Sequence, residues 1–131
     1  MMKSLIKRIQ TLFVACLLVT TVCRADVHEV ASSTEFAQAI AQGKVVVEFG
    51  AAWCGACRMY GPTFKQVSDE LSGYKFLKVD VDQLRDIAGA YNVGGIPMTI
   101  FFKEGQPVGQ PLVGAVNGET LKSKISSMLG E

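Results

Sequence analysis

The sequence predicts an α/β fold with five strands and four helices. From Asp26 onward, short apolar runs alternate with longer stretches in which apolar residues recur every three to four positions, as on one face of a helix. The run at 44–49 contains three consecutive valines, which is typical of a strand covered on both faces of a sheet. Two cysteines, Cys54 and Cys57, lie directly after this strand and at the start of the next predicted helix. Residues 26–131 therefore form one predicted domain.

A short strand and a helix open this domain. Residues 27–30 are predicted to form the first strand. Ser33 followed by Glu35 is typical of a helix N-terminus, and Gly43 is the predicted end of this helix. The predicted inward face of the helix consists of Phe36, Ala37, Ile40 and Ala41.

The second strand, at 44–49, leads into a helix that runs from Cys54 to about Leu71. The predicted apolar stripe of this helix consists of Met59, Phe64, Val67 and Leu71. Pro62 lies within the stripe. Because the apolar pattern resumes directly after Pro62, we expect the proline to kink the helix rather than end it.

The second half of the domain begins with a third strand at 74–81 and a short helix at 83–91. A fourth strand is predicted at 98–103 and a fifth at 108–115, with a turn at 104–107 between them. Because this connection is short, the last two strands should pair antiparallel.

The last helix begins at Asn117 or at Ser123. Asn117 is a favourable N-cap residue, and Glu119 then lies in the first turn, so the earlier start is preferred. The predicted inward face consists of Leu121, Ile125, Met128 and Leu129.

Residues 1–25 have the pattern of a cleavable signal peptide. Three basic residues, Lys3, Lys7 and Arg8, precede an apolar stretch at 9–23. Cleavage after Ala25 would leave Asp26 as the mature N-terminus. An uncleaved anchor is the first alternative, but the stretch is shorter than the roughly 20 residues that a spanning helix needs. A lipid anchor on Cys16 is the second, and apolar residues after that cysteine argue against it.

Charge and cysteine content limit the function of the mature chain. Without residues 1–25, nine Lys and Arg remain beside twelve Asp and Glu, so the net charge changes from +1 to −3. With no basic run, we expect no binding to nucleic acid. Cys54 and Cys57 remain as the only cysteines, and His28 is the only histidine. These are too few ligands for a closed zinc site, so no metal is predicted.

The spacing of Cys54 and Cys57 predicts thiol–disulfide exchange. At the start of a helix, unpaired backbone N–H groups and the helix dipole favour the thiolate of the first cysteine. The second cysteine lies one helical turn further on, where it can resolve a mixed disulfide formed by the first. A structural bridge is the alternative, but so tight a loop constrains the unfolded chain little.

Four separated segments resemble the thioredoxin family. They are Trp53-Cys54-Gly55-Ala56-Cys57-Arg58, Pro62, Gly95-Ile96-Pro97 and Val113-Gly114-Ala115. The resemblance covers residues 27–130 and implies a central mixed sheet flanked by helices. It implies a surface-exposed nucleophile at Cys54, a buried resolving cysteine at Cys57, and no bound cofactor.

The resemblance also implies a groove for an extended polypeptide beside the cysteines. Pro97 matches the family's proline with a cis peptide bond, which would leave the backbone of Ile96 free to pair with substrate. Gly114 fits a flat patch where a side chain would block the substrate. The predicted substrate-binding residues are Trp53, Gly55, Ala56, Ile96, Pro97, Val113 and Gly114.

Glu48 is a carboxylate inside an apolar strand. If it is buried, its pKa should rise, and it could exchange a proton with Cys57 directly or through water. Typical thioredoxins carry Asp here, so the resemblance implies the same role for Glu48. The alternative is that strand alternation turns Glu48 to the surface. Lys78 matches the cationic neighbour of this carboxylate in the family, with a surface lysine as the alternative.

Two positions depart from the family pattern. Ala56 stands where typical thioredoxins have Pro, and its additional N–H could favour the thiolate and make the disulfide more oxidising. Gly50 stands where they have a second tryptophan, and we expect the missing ring to open the surface around Cys54.

Together these observations predict an exported thiol–disulfide oxidoreductase that reduces protein disulfides, in the bacterial periplasm and as a monomer. In an oxidising compartment a reductant needs electrons from elsewhere, which implies a membrane-embedded electron donor. The alternatives are a disulfide oxidase or isomerase of the same fold, and a non-catalytic peptide-binding or chaperone module that uses the same groove.

Overall fold

The computed structural model describes residues 26–130. The predicted signal peptide, its cleavage after Ala25 and its two alternatives lie outside the described residues. The strands are β1 (Val27–Glu29), β2 (Lys44–Gly50), β3 (Lys75–Asp80), β4 (Met98–Lys103), β5 (Gln106–Pro107) and β6 (Leu112–Val113). The helices are α1 (Ser33–Ile40), α2 (Gly55–Glu70), α3 (Arg85–Ala90) and α4 (Gly118–Leu129).

The strands form one mixed sheet in the order β1-β3-β2-β4-β5, and β6 pairs with the other end of β4. Strands β1, β3 and β2 are parallel, whereas β4 is antiparallel to β2. Strand β2 is therefore central, and its residues from Val45 to Gly50 are all buried, which confirms the position predicted from its valines. The α/β fold class with four flanking helices is also confirmed.

Side-chain alternation along β2 separates two hydrophobic clusters. Val45, Val47 and Phe49 pack with residues of α1, among them Phe36 and Ile40. On the opposite face, the core side chains come from β2, β3, β4, α2 and α4. They are Val46, Phe76, Phe101, Tyr60, Phe64, Val67, Leu121, Ile125 and Leu129.

Side chains cap three of the helices, and the cap residues are Ser32, Cys54 and Asn117. Ser32 accepts a hydrogen bond from the Glu35 N–H, so α1 begins at Ser33 as predicted, although it ends at Ile40 before Gly43. Asn117 accepts a hydrogen bond from the Thr120 N–H, which confirms the earlier of the two predicted starts for α4. Helix α2 continues through Pro62, also as predicted.

Two short strands replace the predicted fifth strand at 108–115: β5 lies in the predicted turn at 104–107, and β6 lies within the predicted strand, so the described residues form six strands rather than five. Lys103 pairs with Gln106, so the turn consists of Glu104 and Gly105, with φ of 50° and 84°. These positive φ values are those of a tight hairpin turn. Between β5 and β6, Gly109 has φ of 67°, and a side chain there would collide with Met128. This backbone conformation interrupts the predicted strand.

Several predicted inward positions are exposed. Met59 is 78% exposed because α2 turns Cys57, Tyr60, Phe64 and Val67 inward instead. Ala37 and Ala41 of the first helical segment are also exposed, and Ala39 packs against the core. No helix within residues 26–130 has the length and apolar character to cross a membrane.

Candidate active site

The first turn of α2 holds both cysteines. Cys54 is the N-cap residue, with an extended backbone, and Cys57 lies within the first turn. The two form a disulfide, so the structure is that of the oxidised protein. The Cys57 N–H points at the Cys54 Sγ, with 3.2 Å between nitrogen and sulfur. When the disulfide is reduced, this N–H and the helix dipole favour a thiolate at Cys54.

Both cysteines are largely covered. Cys54 is 7% exposed and Cys57 is 5% exposed, because Ala51, Val81 and Ile96 pack around them. The resemblance implied a surface-exposed Cys54 above a buried Cys57, and the structure corrects this expectation. Their positions along α2 distinguish the two cysteines better than exposure does, since only Cys54 caps the helix.

The loop before β4 faces the disulfide. The peptide bond between Ile96 and Pro97 is cis, as predicted. The carbonyl oxygen of Ile96 lies 3.9 Å from the Cys54 Sγ. Gly114 donates its N–H to the Pro97 carbonyl at 2.7 Å, and Val113 beside it is 66% exposed. The predicted groove residues of these two segments therefore lie together beside Cys54.

Gly114 leaves the groove open. Its φ is 92°, and a Cβ added there would meet no described atom within 4 Å. Gly55 and Ala56 are also exposed, in the first turn of α2. Together with the exposed Val113, these positions lie at the surface, and their role in binding a polypeptide stays a prediction.

Trp53 is 68% exposed, but its ring is held in place. The indole Nε1–H donates to the Asp82 carboxylate at 2.7 Å. Asp82 in turn is placed by a turn at the end of β3, where its N–H donates to the side chain of Asp80 at 2.8 Å. Sequence reasoning missed Asp82. The parallel pairing of β2 and β3 was the available signal, because it brings the carboxyl ends of both strands to the same edge of the sheet.

Glu48 lies in the interior beneath α2. It is 1% exposed, so the surface alternative is wrong. Among residues 26–130 its Oε1 atom has no hydrogen-bond partner. Burial raises the pKa of Glu48 to about 7, while the charge of the neighbouring Lys78 acts to lower it. Lys78 is the register partner of Glu48 on β3, in the place implied by the resemblance.

Gly50 lies between Glu48 and Cys57. A Cβ added to Gly50 would lie 3.2 Å from the Cys57 Sγ and 3.6 Å from the Glu48 Oε1. The sulfur and the carboxyl group therefore face the same space, which the absent side chain leaves open. The opening of the surface around Cys54, expected from the missing ring, stays a prediction. Gly50 itself is buried, and the atom nearest to an added Cβ belongs to Cys57.

Tyr60 and Thr99 form a second polar pair beneath α2 that the sequence analysis did not identify. Their hydroxyls share a hydrogen bond of 2.9 Å, and both residues are buried. Burial raises the pKa of Tyr60 to about 12, an effect that the Thr99 hydrogen bond opposes and the charge of Glu48 increases. The available signal was Tyr60 three residues after Cys57, which places both on one face of the helix.

Other features lie away from the cysteines. A cavity of about 570 Å³ is lined by Lys44 and Lys75, at the amino ends of β2 and β3, and thus at the opposite end of the sheet. In the part of the chain that the structure describes, no three His, Cys, Asp or Glu side chains are grouped as metal ligands. The N-cap position of Cys54 and the Cys57 N–H beside its sulfur suit the pair to exchange between thiols and disulfides.

Comparisons with known proteins agree with this chemistry. The family model described as Thioredoxin matches residues 27–127. Thioredoxin-1 of Schizosaccharomyces pombe is 40% identical over 104 residues, which are 79% of this chain and 99% of that protein. Thioredoxin of Homo sapiens is 40% identical over 106 residues, with the same coverage of 79% and 99%.

Solved structures show the same similarity. Thioredoxin of Malassezia sympodialis superposes with a TM-score of 0.72 at 35% identity, covering 79% of this chain and 91% of that one. Thioredoxin of Trypanosoma brucei brucei gives a TM-score of 0.74 at 27% identity, covering 82% and 94%. The chain therefore belongs to the thioredoxin family, whose members are thiol–disulfide oxidoreductases that act on protein disulfides.

Proposed function

We propose that this chain is an exported reductase of protein disulfides, with Cys54 as the nucleophile, Cys57 as the resolving cysteine and Glu48 as the proton acceptor. The observation that carries the exchange chemistry of this proposal is the geometry of residues 48–57. Cys54 caps α2, and Cys57 in the first turn of that helix faces the same space as the buried Glu48 carboxyl group.

The proposed reaction transfers two electrons to the substrate. The Cys54 thiolate attacks one sulfur of a substrate disulfide, the substrate S–S bond breaks, and a mixed disulfide with Cys54 forms. Cys57 then gives its proton to the Glu48 carboxylate and attacks the Cys54 Sγ. Both substrate sulfurs leave as thiolates and take up two protons from the solvent to give a dithiol, while Glu48 returns its proton to the solvent. The protein is left with the Cys54–Cys57 disulfide.

The pKa of Glu48 suits this role. At about 7 it lies far above the ordinary value of 4.5, so near neutral pH the carboxyl group can both accept and release a proton. The groove residues Trp53, Ile96, Pro97, Val113 and Gly114 would hold the substrate as an extended polypeptide beside Cys54.

The roles of the cysteines are tested by trapping. The Cys57→Ser variant should accumulate a mixed disulfide with a protein substrate, because nothing resolves it, whereas Cys54→Ser should form none. Mass spectrometry of the trapped adduct measures the difference. Full function of Cys54→Ser in a cellular assay would instead favour the peptide-binding module.

The direction of electron flow is tested by the reduction potential of the pair, titrated against a glutathione or dithiothreitol buffer. The described helices and strands are joined without large insertions, as in thioredoxins. The reduction potential of thioredoxin is roughly −270 mV, and this similarity supports the reducing direction. A value of roughly −180 to −120 mV would assign the chain to isomerases or oxidases instead.

Export is supported by the basic and apolar pattern of residues 1–25. We expect the mature protein to start at Asp26, to lie in the bacterial periplasm as a monomer, and to receive electrons from a membrane-embedded donor. N-terminal sequencing of the protein from a periplasmic fraction tests this. Recovery in the cytoplasm with residues 1–25 attached would contradict it and leave the exchange chemistry in place.

A further inference from the structure

One polar row crosses an apolar face of the sheet. Lys78 on β3, Glu48 on β2 and Thr99 on β4 are direct register partners. The neighbouring row on the same face is entirely apolar and consists of Phe76, Val46 and Phe101. A threonine buried to 0% exposure beside a buried carboxyl group therefore stands out from its surroundings.

The hydroxyls of Tyr60 and Thr99 together have one O–H donor that the hydrogen bond between them does not use. Each hydroxyl carries one O–H donor, and the single hydrogen bond between them uses one of the two. Buried polar groups nearly always have partners. Within residues 26–130, the buried side-chain acceptor without a partner is the Oε1 of Glu48, which belongs to the register partner of Thr99.

Thr99 is better placed than Tyr60 to use the spare hydrogen on Glu48. Residues directly opposite on antiparallel strands have Cβ atoms about 5 Å apart and share one face of the sheet. Tyr60 reaches this face from α2 and shares a hydrogen bond with Thr99, in which either hydroxyl can be the donor. If Tyr60 donates to the Thr99 Oγ1, the Thr99 O–H is left free to turn towards Glu48, whose Oε1 has no partner among residues 26–130.

We propose that Thr99 is a positioning residue that donates its hydroxyl hydrogen to the Glu48 carboxylate when that group ionises, and that Tyr60 orients Thr99 for this bond. The proposal rests on Glu48 being the proton acceptor for Cys57. The charged and titratable groups that face Glu48 are Lys78 from β3, and Cys57 and Tyr60 from α2.

The bond has a measurable consequence. A hydrogen bond donated to the charged form of a carboxyl group lowers its pKa, so removing the donor should raise the pKa of Glu48. Thr99→Val removes the donor and keeps the shape of the side chain. We expect it to raise the midpoint by about one pH unit, a tenfold change in the ionisation constant. Tyr60→Phe removes only the orienting partner and should cause a smaller rise.

The experiment titrates Glu48 in the oxidised protein by the infrared absorption of its protonated carboxyl group, with Glu48→Gln identifying the band. Two variants should titrate like the wild type. Thr99→Ser keeps the hydroxyl, and Tyr91→Phe removes a tyrosine hydroxyl from the opposite face of the sheet. Thermal unfolding of each variant shows that it is folded.

An unchanged Glu48 midpoint in Thr99→Val would overturn the proposal, and an unchanged midpoint in Tyr60→Phe alone would overturn the orienting role of Tyr60. Failure of the proposed function is a separate result, obtained from the pH dependence of mixed-disulfide resolution. If Glu48→Gln resolves the mixed disulfide with an unchanged pH profile, Glu48 is not the proton acceptor. The infrared shift still decides whether Thr99 bonds to Glu48.

Discussion

The two faces of the central sheet carry different side chains, although the same strands build both. On the α1 side, β2 contributes Val45, Val47 and Phe49 to a wholly apolar cluster. On the α2 side, the alternating positions are Val46, Glu48 and Gly50. Towards the carboxyl end of the strand, this second face therefore has a carboxyl group and an open space where the α1 side has large apolar side chains.

Within this one strand, the residues that stabilise the fold therefore lie on one face, and the residues that take part in the proposed chemistry lie on the other. On the α1 face, the ring of Phe36 contacts those of Phe49, Tyr91 and Phe102, and Tyr91 also contacts Phe102. The α2 face contains a buried carboxyl group with an oxygen that has no hydrogen-bond partner within residues 26–130, and this burial lowers the stability of the fold. Substitutions on the two faces should therefore differ in what they change.

The largest effect on stability is expected from Phe36→Ala on the α1 face. Phe36 is 1% exposed and contacts three other aromatic rings. Loss of the ring should lower the free energy of unfolding by about 3 to 5 kcal/mol, as measured by urea denaturation. The rate of disulfide exchange per folded molecule should stay as in the wild type. A changed exchange rate would show that the α1 face also shapes the site.

On the α2 face, Glu48→Gln should change how stability depends on pH. The pKa of Glu48 is about 7 in the folded protein and 4.5 ordinarily, so the folded state binds the proton more tightly. The contribution of the protonated Glu48 to the free energy of unfolding is therefore fully present below pH 4.5 and is lost as pH rises through 7. The loss should be about 3 kcal/mol, and Glu48→Gln should lack it. Urea denaturation at several pH values measures this, and parallel curves for both proteins would contradict it.

Much of the fold and the core of the site were predictable from local patterns. The consecutive valines of β2 indicate a central strand, and the position of Cys54 before a helical pattern indicates an N-cap. Contacts between distant segments were not predictable in this way. The bond between Trp53 and Asp82 joins residues 29 apart, and that between Tyr60 and Thr99 joins residues 39 apart. Both depend on strand register, which a single sequence does not specify.

A smaller loss is expected from Gly50→Ala, which fills the space between the cysteine and the carboxyl group. The new Cβ would lie 3.2 Å from the Cys57 Sγ, closer than ordinary contact, and both residues are buried. We expect a loss of about 1 to 2 kcal/mol and slower resolution of the mixed disulfide, because Cys57 must move. Urea denaturation and stopped-flow kinetics measure the two effects.

Gly61→Ala is the matched control for this variant. Gly61 lies in α2, and a Cβ there would meet no described atom within 4 Å. It should raise stability by about 0.5 to 1 kcal/mol through helix propensity, with unchanged kinetics. If Gly50→Ala resolves the mixed disulfide as fast as Gly61→Ala, the space between Cys57 and Glu48 has no part in the reaction.

The smallest effect is expected at the rim, where Asp82→Ala removes the hydrogen bond to Trp53. Because the indole is 68% exposed, the loss of stability should be about 1 kcal/mol or less. Trp53 is the one tryptophan of the chain, so its fluorescence reports the change directly. We expect greater mobility in the fluorescence anisotropy and a higher KM for protein substrates. Asp82→Asn keeps an oxygen acceptor and should stay close to the wild type. If both variants hold the ring as firmly as the wild type does, packing rather than Asp82 positions Trp53 beside the disulfide.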